Sequence, residues 1–96
     1  MDMIVYTTEK VLEHKKGNIK DDDYSPYGEY VWKLERGFPK NVEPGDKIYF
    51  AINKAIQGYF KIEEVEYPDI IFNCNSWRDI KPIPQKPFQG FKYKRD

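Results

Sequence analysis

The sequence predicts a small α+β domain rich in β-structure, built as a mixed barrel of five to six short strands with one or two short helices. Two observations lead to this prediction. Apolar and polar residues alternate in several short segments, and turn-forming residues separate these segments. A third observation limits the size, because a chain of 96 residues can form one hydrophobic core but not two. We therefore expect a single domain over residues 1–96.

The first part of the chain predicts a strand followed by a weak helix. The run Met3 to Thr7 is rich in β-forming residues, and Thr7 or Thr8 can cap a helix over Lys10 to Lys16. An extended conformation of the middle of this helix stays open, because few apolar residues support it. Residues 17–29 are polar, acidic and rich in tyrosine, which is typical of a loop.

Three strands are predicted in the central part of the chain. Residues 30–36 alternate with one apolar face, and so do residues 47–52. Residues 56–67 form a longer strand whose pattern shifts near Glu63, which predicts a β-bulge. Gly58 lies inside this strand, where a glycine indicates the close approach of another backbone.

The last third of the chain predicts two more strands and a wrapping segment. Residues 70–72 are apolar, residues 73–76 are turn-like and residues 79–82 form a short strand. Residues 84–96 are rich in proline and basic residues, so they cannot form a central strand and should lie at an edge or wrap around the body. Three aromatic residues should attach this segment: Phe88, Phe91 and Tyr93.

Composition excludes several classes of protein. Sixteen basic residues balance sixteen acidic ones, which argues against a domain held to nucleic acid by bulk electrostatics alone. Cys74 is the only cysteine, so no internal disulfide is expected, and a small buried residue is its simplest interpretation. The chain has no long apolar run and does not begin like a secretory signal, so we expect no membrane partner and a cytoplasmic location.

One stretch resembles a known group of domains. Asn41 to Phe50, with its Pro44-Gly45-Asp46 turn, is followed by a strand from Ile56 to Ile62, and together they resemble the central hairpin of PUA-like domains. ASCH and EVE domains belong to this group, and Trp32 to Arg36 is similar to an ASCH strand that carries a charged pair. The resemblance implies a single PUA-like, ASCH-type domain over residues 1–96.

The resemblance also implies a function in binding RNA or a modified nucleobase or nucleotide. Trp32 and Arg36 share a strand face, and Trp77 and Arg78 form a second aromatic and basic pair that could face the same cleft. Both tryptophans could equally be core residues. The polar edge of a base could be read by two further side chains, Asn73 and Asn75, which could also be plain turn residues.

Two alternatives stay open beside this binding module. Some ASCH domains are small amidohydrolases acting on modified nucleosides, and Lys33 and Glu35 are weak candidates for a base and its orienting group. A protein-interaction domain of mobile-element or phage origin could use the tyrosines of the segment from Tyr24 to Tyr30. No cofactor and no metal site is predicted, since Asp21 to Asp23 lack the spacing of a calcium loop.

The basic residues near the C-terminus have two possible interpretations. Lysines and an arginine alternate there with aromatic residues, a pattern that suits single-stranded nucleic acid. The same pattern suits an amphipathic edge strand whose lysines protect the edge. The residues concerned are Lys86, Lys92, Lys94 and Arg95.

Overall fold

The computed structural model describes residues 1–16, 29–34 and 37–94, with the backbone alone at residues 29 and 30. Within these ranges the chain forms seven strands, one α-helix and one 3-10 turn. In chain order they are β1 (Met3–Tyr6), α1 (Glu9–Lys15), β2 (Glu29–Lys33), β3 (Lys47–Ile52), β4 (Ala55–Glu66), β5 (Asp69–Asn73), the 3-10 turn (Cys74–Ser76), β6 (Arg78–Pro84) and β7 (Phe91–Tyr93).

The strands form one curled sheet, a half-barrel, with the order β2-β5-β4-β3-β1-β7. β6 pairs with β4 outside this path. β1 and β3 run parallel, and the other paired strands are antiparallel. The prediction of a β-rich, mixed α+β sheet is therefore confirmed, although the described residues hold seven strands and not five to six.

The long strand β4 organises the sheet. β3 pairs with one side of β4. On the other side, β5 pairs with the part of β4 from Glu66 to Ile62, and β6 pairs with the part from Tyr59 to Ala55. The 3-10 turn lies between β5 and β6. There the Ser76 hydroxyl accepts a hydrogen bond from the backbone N–H of Lys61 at 3.0 Å. The register shifts between Ile62 and Glu64, which confirms the predicted bulge.

Local sequence signals explain the shorter elements. The hydroxyl of Thr8 accepts a hydrogen bond from Val11 N and caps α1, so the helical interpretation is confirmed. At the Pro44-Gly45 turn, Gly45 has a φ of +96°, and Asp46 N donates to Glu43 O at 3.0 Å.

The main core lies on the inner face of the curl. Its centre is a group of three fully buried aromatic rings, in which Phe60 stacks on Phe72 at 4.5 Å and meets Phe50 edge-on at 5.3 Å. A second, smaller core on the outer face contains Ile4 and Ile56. Phe88 covers that second core, as predicted for a residue that attaches the C-terminal segment.

Two strands near the C-terminus lie at sheet edges: among the described residues, β6 pairs with β4 alone, and β7, at one end of the strand order, pairs with β1 alone. Gln85 N donates to Lys54 O at 2.9 Å, so the N–H positions of Pro82 and Pro84 face away from β4, where no hydrogen bond is lost. This confirms the edge placement of the Pro-rich segment. An amphipathic edge strand was one of the two interpretations of the basic C-terminal residues, and part of it is found as β7, which is three residues long and pairs with β1 through Lys92 and its neighbours.

In the part of the chain that the structure describes, no helix is long and apolar enough to span a bilayer. The predicted acidic loop lies almost wholly outside the described residues, as do Glu35, Arg36 and Arg95.

Candidate functional site

The outer surface of the β3–β4 hairpin carries alternating lysine and tyrosine side chains. Ile48 is fully buried, so its neighbours Lys47 and Tyr49 point to the opposite face. The register pairs Lys47 with Lys61 and Tyr49 with Tyr59. Directly opposite residues of antiparallel strands have Cβ atoms about 5 Å apart, so these four side chains form one compact group.

This group borders a shallow cavity of about 350 Å³, which we call the basic cavity. Three of its lining residues are cationic, one is a tyrosine and none is acidic. The lining consists of Gly45, Lys47, Tyr59, Lys61, Ser76 and Arg78.

Backbone contacts hold the two ends of the basic cavity against β4. At one end, Gly45 N donates to Ile62 O at 2.8 Å, and Ile62 N donates to Asp46 O at 2.8 Å. At the other end, Ser76 links β4 to the 3-10 turn through Lys61 N. The positions of the lining residues are therefore set by paired backbone, although the side chains reach solvent.

The tyrosine of the basic cavity has one face covered by a lysine. Lys47 Nζ lies 4.8 Å from the centroid of the Tyr59 ring, and Tyr49 meets that ring edge-on at 5.3 Å. Arg78 is exposed, and its Nη1 donates to Trp77 O at 3.1 Å. This contact anchors the guanidinium at the rim of the cavity.

Nearby carboxylates are occupied by other donors. Asp46 accepts hydrogen bonds from the amino group of Met1 and from Glu43 N, both at 2.9 Å. The Met1 amino group and, more weakly, the Glu43 N–H hold the pKa of Asp46 below its ordinary value of 3.8, against a smaller opposing effect of burial. Asp2 accepts from Lys47 N at 2.9 Å.

Charge is therefore separated on a chain whose net charge is zero. Three exposed glutamates follow Lys61 on β4, at the bulge and beyond it, and none of them lines the basic cavity. The glutamates are Glu63, Glu64 and Glu66. A locally basic surface thus exists without any excess of basic residues, as the sequence allowed.

Trp77 packs against the inner side of the sheet. Its ring contacts Phe60 at a centroid distance of 4.9 Å, and its Nε1 donates to Asp79 at 2.8 Å. A Cβ on Gly58 would come within 2.6 Å of this ring, which confirms that Gly58 marks a close approach. Lys16 Nζ lies 5.0 Å from the centroid of the Trp77 ring.

Trp32 lies at the opposite end of the same aromatic core. It meets Phe50 edge-on at 5.3 Å and is half-buried. It also lines a second cavity of about 310 Å³, together with Tyr6, Lys33, Leu34, Phe88, Gln89 and Gly90. This second cavity shares no lining residue with the basic cavity. Trp32 and Trp77 both pack against the main core.

Asn73 and Asn75, which were predicted to contact the polar edge of a base, form hydrogen bonds at the 3-10 turn. Asn73 Oδ1 accepts from Asn75 N at 2.8 Å, and Ser76 Oγ donates to Asn73 O at 2.6 Å. These are the contacts of turn residues. Asn75 itself is exposed at the tip of the turn.

Of the predicted site residues that the structure describes, Arg78 alone lines the basic cavity. Lys33 is exposed and borders the second cavity, while Arg36 and Glu35 lie outside the described residues. Asp21 to Asp23 and Tyr24 to Tyr30 also fall outside them, apart from the backbone of residues 29 and 30. Among the residues that the structure describes, no group of three or more histidine, cysteine, aspartate or glutamate side chains is placed to hold a metal ion.

Sequence reasoning missed three residues of the basic cavity. These residues lie on the outer, polar faces of β3 and β4, whose apolar faces were predicted correctly. They are Lys47, Tyr59 and Lys61. The signal that could have found them was the pairing of basic with aromatic residues on both outer faces. To recognise these residues as one site, the pairing of the strands must be known, because the register places Tyr59 beside Arg78 of β6.

Comparison with known proteins identifies no family for this chain. No protein-family model matches it, and neither a curated protein nor a solved structure does.

Proposed function

We propose that the domain is a binding module that recognises RNA or a modified nucleobase or nucleotide at the basic cavity. One observation carries this proposal: three cationic side chains surround a single tyrosine ring in a cavity with no acidic lining residue. An aromatic face combined with cations suits a ligand that has both a flat ring and a negative charge. Nucleotides have both.

The base of such a ligand would stack on Tyr59. Lys47 now covers this ring, and a cation–π contact at an exposed site contributes about 0.5–1 kcal/mol. Stacking of a base on an aromatic side chain contributes about 1–3 kcal/mol. Stacking therefore outweighs the displaced contact, and the released ammonium group of Lys47 stays close enough to meet a phosphate.

The phosphate would lie between Lys61 and Arg78. The arginine offers several N–H donors in a fixed planar arrangement, which fits phosphate oxygens in pairs. Its contact with Trp77 O uses Nη1 and leaves other donors of the guanidinium for a ligand. The cavity volume of about 350 Å³ lies at the lower end of the range for small-ligand sites, roughly 300–1,000 Å³.

The relation to PUA-like domains belongs to the same proposal. It is supported by the turn with Gly45 in the positive-φ region and by the hairpin that follows it. The alternative of an amidohydrolase would depend on Lys33, whose side chain is exposed and borders the second cavity, away from the cationic side chains of the basic cavity. We therefore propose binding and not catalysis.

Calorimetric titration with nucleoside monophosphates tests the proposal. We expect binding in the micromolar to millimolar range, and we expect Tyr59→Ala and Arg78→Gln each to weaken it about tenfold, because each removes one of the two recognition elements. Matched controls are Tyr67→Ala, an exposed tyrosine elsewhere, and Lys10→Gln on α1. Undetectable binding of every nucleotide, or equal affinities of site and control variants, would refute the proposal.

A further inference from the structure

The outer face continues past the basic cavity to the opposite edge of the sheet. β1 follows β3 in the sheet, and β7 follows β1. The register pairs Ile4 with Tyr49 on one side and with Lys92 on the other. Lys94 N donates to Asp2 O at 2.9 Å, which places Lys94 in the row that contains Lys47.

The side chains of β7 point as this register requires. Phe91 and Tyr93 pack against the main core on the inner face, so Lys92 points outward. Lys94 Nζ lies 5.5 Å from the centroid of the Tyr49 ring. Both interpretations of the basic and aromatic alternation are thus compatible, because an amphipathic edge strand presents its lysines to the same surface as the tyrosines.

The resulting surface is strongly basic for a neutral chain. It crosses five strands and carries five cationic side chains, two tyrosines and one acidic side chain, Asp2, next to Lys47, with the buried Ile4 between Tyr49 and Lys92. We call it the lysine–tyrosine face, formed by Lys47, Tyr49, Tyr59, Lys61, Arg78, Lys92 and Lys94.

The dimensions of this face exceed a single nucleotide. Neighbouring strands lie about 4.8 Å apart, so the four steps from β6 to β7 span about 19 Å. The rings of Tyr49 and Tyr59 lie on adjacent strands within that span, 5.3 Å apart. Two stacking positions flanked by lysines on both sides fit consecutive units of one chain.

We infer that the lysine–tyrosine face binds a single-stranded polynucleotide, which crosses the strands from the basic cavity on β6 and β4 to Lys92 and Lys94 on β7. This inference rests on the proposed function, since the first nucleotide occupies the basic cavity. A duplex would not fit, because its bases are stacked on each other and cannot stack on Tyr49 or Tyr59. Phosphates contact the lysines and the bases contact the rings.

A length series of oligonucleotides tests the inference. Affinities of uridine monophosphate, di-, tetra- and octauridylate, and of the matching thymidine series, would be measured by titration for the wild type and for the double variant Lys92→Gln/Lys94→Gln. We expect the tetranucleotide to bind at least tenfold more tightly than the mononucleotide. The double variant should lose about five- to tenfold in affinity for the tetranucleotide and nothing for the mononucleotide.

Salt dependence gives a second readout. Each phosphate contact on a single strand contributes about 0.7 to the slope of log affinity against log salt concentration. The slope for tetrauridylate should therefore fall by about 1 to 1.5 in the double variant. The matched control is Lys10→Gln/Lys40→Gln, which removes two exposed lysines elsewhere and should leave slope and affinity unchanged.

The outcomes separate this inference from the proposed function. Equal affinity for mono- and tetranucleotide, or a double variant that behaves like the wild type, overturns the polynucleotide face and leaves mononucleotide binding intact. Absence of any binding overturns both. An acidic peptide that binds as tightly as the tetranucleotide also overturns the inference. Comparable binding of the uridine and thymidine series supports the inference. A preference for one series, with the length effect kept, also supports it and shows which type of nucleic acid is bound more tightly.

Discussion

Along β3 and β4, neighbouring residues lie in opposite environments. Phe60 is fully buried among Phe50 and Phe72, whereas Tyr59 and Lys61 on either side of it reach solvent. Around Phe60 the inner face of the hairpin is apolar and closely packed, and the outer face at Tyr59 and Lys61 is basic and open, whereas Ala51 and Ile56 near the hairpin turn belong to the second core. The same backbone ladder thus positions both the core and the candidate site.

The comparison teaches how a site can be held in place without its own buried contacts. Packing of the inner side chains fixes the strand backbone, and this backbone sets the positions of the outer side chains because successive residues point to opposite faces. Disturbing the inner face should therefore cost stability, while disturbing the outer face should cost binding. The predictions below test that separation.

The largest effect is expected for Phe60→Ala on the inner face. Phe60 is fully buried and contacts three other rings, including Trp77, so its truncation should lower the free energy of unfolding by about 3–5 kcal/mol. Urea denaturation followed by circular dichroism measures this. Tyr59→Ala on the neighbouring position is the control and should cost clearly less. A loss below about 1 kcal/mol for Phe60→Ala would contradict the assignment of this face as core.

The next effect concerns two glycines of the hairpin region, one in the turn before β3 and one inside β4. A Cβ on Gly58 would lie 2.6 Å from the Trp77 ring and closer still to Arg78 O, so Gly58→Ala should cost about 1–3 kcal/mol and shift the tryptophan emission. Gly45→Ala is the matched comparison. Gly45 has a φ of +96°, and an added Cβ would meet no atom within 4 Å, so the substitution should cost about 1 kcal/mol through the backbone alone and leave the emission unchanged. Unchanged emission in Gly58→Ala would place Trp77 elsewhere.

Much of the inner face could be predicted from the sequence because it depends on local pattern. The alternation of Ile48, Phe50 and Ile52 was read correctly, as were the bulge near Glu63 and the turn at Gly45. Each of these signals lies within a few residues of the feature that it indicates. Periodicity and turn chemistry suffice at that range.

The outer site could not be predicted in the same way because it depends on register and strand order. Lys47, Tyr59 and Arg78 come from three strands, and only the pairing of β4 with both β3 and β6 brings them together. The partner of β7 could not be predicted for a related reason, since the edge-strand interpretation of this segment did not indicate that it pairs with β1. Trp77 was predicted as cleft or core on equal terms, and the contact with Gly58 places its ring on the inner side.

A smaller effect is expected at Asp46, which supports the turn that carries Gly45 into the basic cavity. The folded-state pKa of Asp46 lies below 3.8, so its stabilising contribution is fully present above pH 3.8 and is lost as the pH falls through the lower folded value. At neutral pH, Asp46→Asn should cost about 1 kcal/mol, at the lower end for a charged hydrogen bond because the carboxylate is partly exposed.

The pH dependence separates this effect from a general loss of packing. The difference in unfolding free energy between wild type and Asp46→Asn should narrow as the pH falls from about 4 to about 2, because the wild-type carboxyl then binds a proton. Urea titrations at several pH values measure the difference. A gap that stays constant over this range would mean that the charge of Asp46 does not support the turn.

The smallest effect on stability, and the sharpest contrast with Phe60, is expected for Lys61→Gln. Its side chain is exposed and its backbone contact with Ser76 does not depend on the side chain, so the free energy of unfolding should change by less than about 0.5 kcal/mol. Affinity for nucleoside monophosphates should nevertheless fall several-fold, while Lys61→Arg should retain it because the charge is kept. Unfolding and titration data on the same samples decide the matter. A variant that loses more than 1 kcal/mol of stability, or one that loses no affinity, would show that the two faces are not separated in the way that their burial indicates.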